Sequence, residues 1–500
     1  MLKKAALAVV AMAIVAAGLY RFAGLRIAVD GSGVWPRFVS SAPNYDALEA
    51  DRLRQREQAA QPAGTGETRP TYAPRSAPPT SGASDSGSDK TRATDEAEAG
   101  RAASVPPTGS GALPGRGYWP DFRGPNRDGR YEGASIRTDW PSQGLPRLWR
   151  QPIGLGYASF VVADGRAFTI EQRRRQEVVS AYDVDTGREL WTHGWDGEFI
   201  EIQGGDGPRA TPTYHDGRVY ALGTLGELRC LDARSGALVW RRNILTDAGA
   251  SNLEWGMAAS PLIVDDKVIV LPGGGQGKSV AAYDKSSGAI VWTALDDQQA
   301  YTSPMLVTLG GVRQLIVVSA TRAMGLTVEN GRLLWDYPWA TGIGVNASQP
   351  LLVGNDRVFL SAGYGHGAAV FEVSRSGDAW SARAVWHNTR MKNKFTSSVL
   401  RQGYIYGLDE AILACVDAAT GDLKWKGGRY GYGQVLLAGD HLIVLTEDGD
   451  VALVKATPER YQEAAKFAAI DGKTWNHPVI VDGRLLVRNL REMAAFDIRP

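Results

Sequence analysis

The chain has 500 residues with 55 basic and 54 acidic side chains, and this near balance argues against broad affinity for nucleic acid. Its 44% hydrophobic content allows a sizeable core, and 59 glycines with 15 tryptophans suit a turn-rich, all-β chain.

At the N-terminus, Lys3 and Lys4 precede an apolar run, Ala5–Tyr20, at the border between a signal-peptide core and a short membrane helix. Ala16-Ala17-Gly18 offers a small-x-small cleavage site, yet no polar segment precedes it and Leu19, Phe22, Leu25 and Ile27 prolong the apolar character. Residues 1–28 are therefore expected to be an uncleaved signal anchor (transmembrane segment), the alternative being a cleaved signal peptide. The remainder is expected outside the cytoplasm, in the periplasm, although Arg21, Arg26 and Arg37 blunt the charge argument for orientation. Residues 29–60 read as a juxtamembrane segment, in which Asp46–Ala60 has helix formers and acid–Arg spacing suited to a short helix. From 61 to 117 the composition collapses to Ala, Pro, Ser, Gly and Thr, a disordered linker expected to span roughly 40 Å as a coil and to space the C-terminal domain from the membrane.

Residues 118–500 form the folded domain. Trp119–Gly129, rich in Pro and Gly, reads as an irregular segment docked as a lid or plug. Val178–Trp191, VVSAYDVDTGRELW, then reads as strand, tight turn and strand, with Asp185-Thr186-Gly187 at the turn. Clear copies follow at Glu227–Trp240, Ser279–Trp292, Ala323–Trp335 and Ala411–Trp425, and looser ones end at Trp386 and Phe467. Strands repeating at a period of about 40–50 residues mean a propeller or solenoid. An independent set of eight inner-strand starts aligns at Tyr157, Arg209, Met257, Tyr301, Asn346, Phe395, Tyr432 and Trp475, each followed by a short polar hairpin. This predicts an eight-bladed β-propeller of four-stranded antiparallel blades. The last blade is one strand short, and Pro146–Pro152 supplies that strand, so the N- and C-terminal strands close the ring. Trp149, Trp191, Trp240, Trp292, Trp335, Trp386 and Trp425 are expected to dock between blades. Cys230 and Cys415 take one slot in opposite blades and read as two buried thiols, not a disulfide.

The A-x-D-x-x-[ST]-G-x-x-x-W pattern resembles the PQQ-type β-propeller repeat of quinoprotein alcohol dehydrogenases and of BamB, the propeller lipoprotein of outer-membrane protein assembly. The resemblance covers roughly Trp119–Pro500. Unlike BamB, the chain has no Cys for lipid attachment. The outer-to-inner loops and the second-to-third-strand hairpins share one face of such a ring, and that face is rich in cations and aromatics. Arg209, Trp255, Tyr301, Arg322, Tyr364, His366, Lys394, Tyr432 and His477 are the candidate binding residues there. A quinoprotein would imply PQQ with calcium and an adjacent Cys-Cys pair, but the two cysteines are far apart and no calcium motif can be matched. No C-x-x-C-H, nucleophile elbow, P-loop or zinc spacing is present. Asp409-Glu410 is the best carboxylate pair, although adjacent strand residues face opposite ways. The expectation is a non-catalytic binding or scaffolding module for envelope proteins or peptides, with no cofactor, no metal and no nucleic acid. The alternative is a PQQ-dependent oxidoreductase. With an uncleaved anchor, the mature protein keeps Met1 or Leu2 and resists carbonate extraction; an N-terminus at Leu19 or later would make it soluble after export.

Overall fold

The computed structural model describes Val15 and residues 25–30, 33–38, 45–60, 117–201 and 203–500. The apolar run Ala5–Tyr20, Val15 apart, and residues 61–116 of the linker lie outside the described residues. No described helix is long and apolar enough to cross a membrane. Leu25–Asp30 pairs antiparallel with Gly33–Phe38, so the last residues of the expected 1–28 anchor are extended chain, as β-branched Ile27, Val29 and Val34 favour. The expected short helix is present at Tyr45–Ala60. It packs against the domain: Tyr45 donates to Gln172 O at 3.2 Å and Arg52 to Pro152 O at 2.7 Å.

Eight antiparallel sheets follow around the ring, each contributing four strands. In blade one these are Val161–Ala163, Arg166–Arg173, Gln176–Asp183 and Glu189–Asp196, from the axis outward. The eighth blade is composite, as expected. Glu492–Asp497 pairs with Arg147–Pro152, setting Ala495 opposite Trp149. The seventh gains a fifth strand, Arg130–Tyr131, parallel to Gln434–Ala438.

The repeat motif is an inter-blade joint. Its Asp starts the turn: Asp183 Oδ1 accepts from Thr186 N at 2.9 Å and Thr186 Oγ1 at 2.7 Å, and Asp284 does the same with Ser287 at 2.7 Å each. Its Gly has positive φ (73° at Gly236, 70° at Gly288), and it also lies beneath the preceding blade's tryptophan. A Cβ on Gly288 would meet Trp240 at 2.7 Å. Each indole N–H then donates across the joint: Trp149 to Val184 O, Trp191 to Ala233 O, Trp240 to Lys285 O, Trp292 to Val328 O, Trp386 to Ala418 O and Trp425 to Thr457 O, all within 3.2 Å. Trp335 is the exception. It bonds Gln314 in its own blade at 2.6 Å and tilts against Phe371, because the fifth blade replaces the tight turn with the long hairpin Gly367–Ser376 and Ala379–Asn388. Cys230 and Cys415 are buried free thiols opposite Tyr220 and Tyr406, and burial pushes them up to about 11 and about 12.

The Trp119–Gly129 segment is the plug that its composition suggested. Trp119 pairs with Val162 in blade one, and Pro120 O accepts from Tyr214 N in blade two. Arg127, 2% exposed, sends its guanidinium to Pro304 O at 2.8 Å, Ser260 O at 3.2 Å, Pro261 O and Asp121. Arg123 reaches Ser398 O at 2.8 Å in blade six. Two buried arginines thus fill the axis and satisfy carbonyls of several blades at once.

Removing Glu492–Pro500 would leave Arg147–Pro152 and Arg484–Arg488 as unpaired edges. The truncated chain is expected to aggregate or melt far below the full chain; a monomer with unchanged melting would refute the closure.

Candidate functional site

The eight inner-strand starts share a register that fixes both the axial wall and the site. Ser159, Thr211, Ser260, Ser303, Gln349, Ser397, Gln434 and His477 take one equivalent position, and all are buried. Neighbouring blades are bonded through it. Thr211 Oγ1 accepts from Ser159 N at 2.9 Å, Ser303 Oγ from Ser260 N at 2.8 Å, Gln349 Oε1 from Ser303 N at 2.8 Å and Ser397 Oγ from Gln349 N at 3.0 Å. Gln434 Nε2 donates to Phe395 O at 3.2 Å, and Ser159 Oγ donates to His477 O at 2.5 Å. Strand alternation puts residue i−2 on the same side. Those residues are Tyr157, Arg209, Ala258, Tyr301, Ala347, Phe395, Tyr432 and Trp475, and every one lines a single funnel of about 350 Å³ on the axis. Trp255, Ile343, Val345 and Tyr364 fill in beside the two alanines, and Phe122 of the plug contributes to the lining.

The wall is a run of aromatic contacts. Tyr157 stacks on Trp475 at 5.0 Å, Trp475 meets Phe395 at 4.3 Å, Phe395 meets Tyr432 at 5.2 Å, and across the ring Trp255 tilts on Tyr301 at 5.7 Å. Three cations are set among these rings. Lys394 Nζ lies 4.5 Å from the Tyr432 ring and 5.1 Å from Tyr364, and among the described residues it has no ion-pair partner. Lys473 Nζ lies 3.6 Å over Trp475 and donates to Gly204 O at 3.0 Å. Burial lowers both ammonium groups, Lys473 to about 8. Arg209 sits 4.7 Å from the Phe199 ring and spends its guanidinium on Gly205 O and Gly207 O, so it shapes the 203–208 loop as well as lining the funnel.

Of the nine candidate residues, Arg209, Trp255, Tyr301, Tyr364, Lys394, Tyr432 and His477 meet in this funnel. Two do not. Arg322 lies outside the lining and is ion-paired to Asp297 at 2.8 Å and Asp336 at 3.3 Å. His366 packs edge-on against Trp339 at 4.4 Å. Both belong to second-to-third-strand turns, and their side chains are turned to partners outside the lining although Tyr364, in the same turn as His366, reaches the funnel. Sequence reasoning missed Tyr157, Phe395, Trp475, Phe122 and Lys473 as site residues. For the first three the signal was their shared place two residues before the aligned polar position.

The acids near the funnel are already engaged. Glu447 accepts from Trp475 Nε1 at 3.0 Å and Tyr432 N at 3.1 Å, and Glu410 from Tyr432 OH at 3.3 Å. Asp409 faces away from Glu410 and pairs with Lys392 and Lys426 at 2.7 and 2.5 Å. Among the described residues no three His, Cys, Asp or Glu side chains converge as metal ligands. The cations would suit the carboxylates of PQQ, but the donor set does not fit its calcium ion, so no catalytic step is derived through that pair.

A sequence family described as the outer membrane protein assembly factor BamB matches residues 174–427. Among curated proteins, BamB of Moranella endobia is 25% identical over 275 residues, which are 50% of this chain and 62% of that protein, less than two thirds of its length. A 1-butanol dehydrogenase (cytochrome c) of Thauera butanivorans is 31% identical over 119 residues, 22% of this chain and 16% of that protein. Among solved structures, BamB of Moraxella catarrhalis superposes with a TM-score of 0.51 at 18% identity, over 70% of this chain and 99% of that one, which speaks to the fold.

His477 is the site's acid-sensitive joint. Its Nε2 lies 3.3 Å from Val435 O, its Nδ1 has no hydrogen-bond partner, and burial together with nearby Arg123 lowers it to about 3. The unfolded chain takes up this proton below roughly pH 6.5 while the folded chain does not, so stability is lost as pH falls through that window. His477→Gln, which copies the residue at Gln434, is expected to flatten the melting profile between about pH 6.5 and 4.5, where this single group contributes up to about 1.4 kcal/mol per pH unit. Parallel profiles for wild type and variant would refute the assignment.

Proposed function

The chain belongs to the family of the outer membrane protein assembly factor BamB, and from this we propose that it is a non-catalytic binding ring, working outside the cytoplasm on proteins of outer-membrane assembly. The N-terminal segment anchors it to the membrane, and the periplasm is its compartment. The observation that carries this reading is the funnel: rings from most of the blades, interleaved with desolvated cations, around acids already bound into the wall. Such a surface offers aromatic area and cationic anchors to a protein segment, the residue types that dominate binding energy at interfaces. It offers no free acid–base pair for proton transfer. Lys394 is the strongest anchor, because its ammonium is half-buried among rings and has no direct ion pair among the described residues.

A quinoprotein reading draws on the butanol dehydrogenase likeness and on the same cations. The bound state of Glu447 and Glu410 weighs against it, since calcium would have to displace wall hydrogen bonds. The two readings separate in one experiment on the full chain. Wild type is expected to recover outer-membrane assembly proteins from envelope extracts, and Lys394→Ala with Trp255→Ala to lose at least roughly tenfold of that capture with melting little changed. Arg322→Ala, outside the funnel, should capture normally. Equal capture by all three proteins would sink the funnel as the binding site. Stoichiometric uptake of PQQ with calcium, with dye reduction by an alcohol, would replace the reading by the enzyme.

A further inference from the structure

Helix Tyr45–Ala60 lies in the groove between blade one and Arg147–Pro152, the N-terminal strand that completes blade eight. Its inward stripe is Tyr45, Leu48, Arg52 and Gln55, at helical spacing; Leu48 and Arg52 are each 2% exposed. Arg52 bridges this groove. Its guanidinium donates to Pro152 O of blade eight at 2.7 Å, pairs with Glu189 of blade one at 3.3 Å and lies 5.1 Å over the Tyr182 ring. Gln55 spans the same gap, donating to Gln151 Oε1 at 3.1 Å and accepting from Glu189 N at 3.2 Å. Beneath them is a prepared cluster. Glu189 also binds Arg173 at 2.7 Å, and Arg173 binds Glu171, which burial would raise but which that guanidinium and two hydroxyls hold down at about 2. The first turn sits at the hairpin tip on the funnel side, where Arg174 reaches Asp46 at 2.9 Å and Glu49 at 3.0 Å.

We propose that residues 45–60 are a strap that docks in cis between blade one and the ring-closing strand Arg147–Pro152 and delivers everything upstream of Tyr45 to the funnel side of blade one. A polar helix of this length is marginal alone in water, so its helicity depends on the groove. The occupant is the chain's own segment because both ends of the 61–116 connection are held in the same sector. Gln55 is bonded at Gln151, and the chain resumes at Gly117 beside Val481 and Asp482 of blade eight. A connection of this kind gives the docked helix an effective concentration on the order of millimolar. The 61–116 segment therefore joins two docked pieces. The inference stands whether or not the funnel binds assembly proteins.

Amide exchange on the full chain tests it. Peptides from 45–60 are expected to be protected at least roughly tenfold over an unstructured chain, independent of protein concentration. Arg52→Ala and Leu48→Ala should each remove most of that protection while the blades melt as before, and exposed Arg54→Ala should not. A photo-crosslinker at Asp46 should couple to the 173–177 hairpin. Fast exchange in wild type, or crosslinks scattered over the ring, would overturn the strap. Protection that rises with protein concentration would overturn docking in cis in favour of exchange between copies.

Discussion

The fold depends on how eight separate sheets are held to one another near the axis. A blade alone is a four-stranded sheet with two exposed faces, so its stability comes from its neighbours. Here the neighbours are joined at two radii. Near the axis, hydroxyl and amide side chains at one register position take up backbone N–H groups of the adjoining blade. At the rim, indole N–H groups take up turn carbonyls. Between these radii the packing is mainly apolar, as with Tyr220, Cys230, Tyr283 and Val268 between blades two and three, and a few polar bonds such as Thr224 N to Glu177 at 2.6 Å add to it. Polar joints of this sort contribute modestly in net energy, roughly 1 kcal/mol each, but a donor or acceptor left unpaired in so buried a place costs more. They therefore select one angular spacing of blades. The buried arginines of the plug act in the same sense on carbonyls that the strands leave over.

The funnel is a by-product of that register. A side chain that bonds the next blade points to the axis, and the residue two positions earlier points there too, at a higher level. That earlier position, where Tyr, Arg, Ala, Phe and Trp all occur, can vary without touching the joints, and loop residues such as Trp255 and Tyr364 complete the surface. The polar position below is confined to Ser, Thr, Gln and His by its bonding task. Burial and nearby Arg123 keep His477 neutral in the folded ring, so one blade carries an acid sensitivity that its equivalents lack.

The ring was legible because its signals are local and repeated. The Asp–Ser/Thr–Gly turn and the following Trp lie within one hairpin, and the composite blade followed from counting strand starts against strand ends. The plug was legible from Trp119–Gly129 by its Pro and Gly content, but its arginines were not, because nothing local says that Arg123 and Arg127 are buried. Seven funnel residues could be placed from loop position alone. Arg322 and His366 went astray because turn residues on the correct face can still point outward, a matter of a rotamer and an ion partner that spacing does not encode. Lys473 was missed for the converse reason: its role comes from the Trp475 ring and two carbonyls of a loop some 270 positions away.

The closure within blade eight differs physically from the other blades. Every other blade is a continuous chain, so its strands are held together by hairpins as well as by hydrogen bonds. Blade eight is held to the Arg147–Pro152 strand by ladder bonds and by Arg150, which pairs with Glu492 and with Asp471 at 2.9 Å, with no connecting turn. Loss of cooperativity would begin there, because separating that strand breaks no covalent link between its neighbours. A helix that bonds Pro152 on one side and Glu189 on the other ties the closing strand to blade one and leaves its ladder to Glu492–Asp497 untouched, with Arg52 set against a Glu189 that Arg173 already pairs. The strap is therefore not needed to complete that ladder, which is the condition for a segment that can dock and release while the ring stays closed.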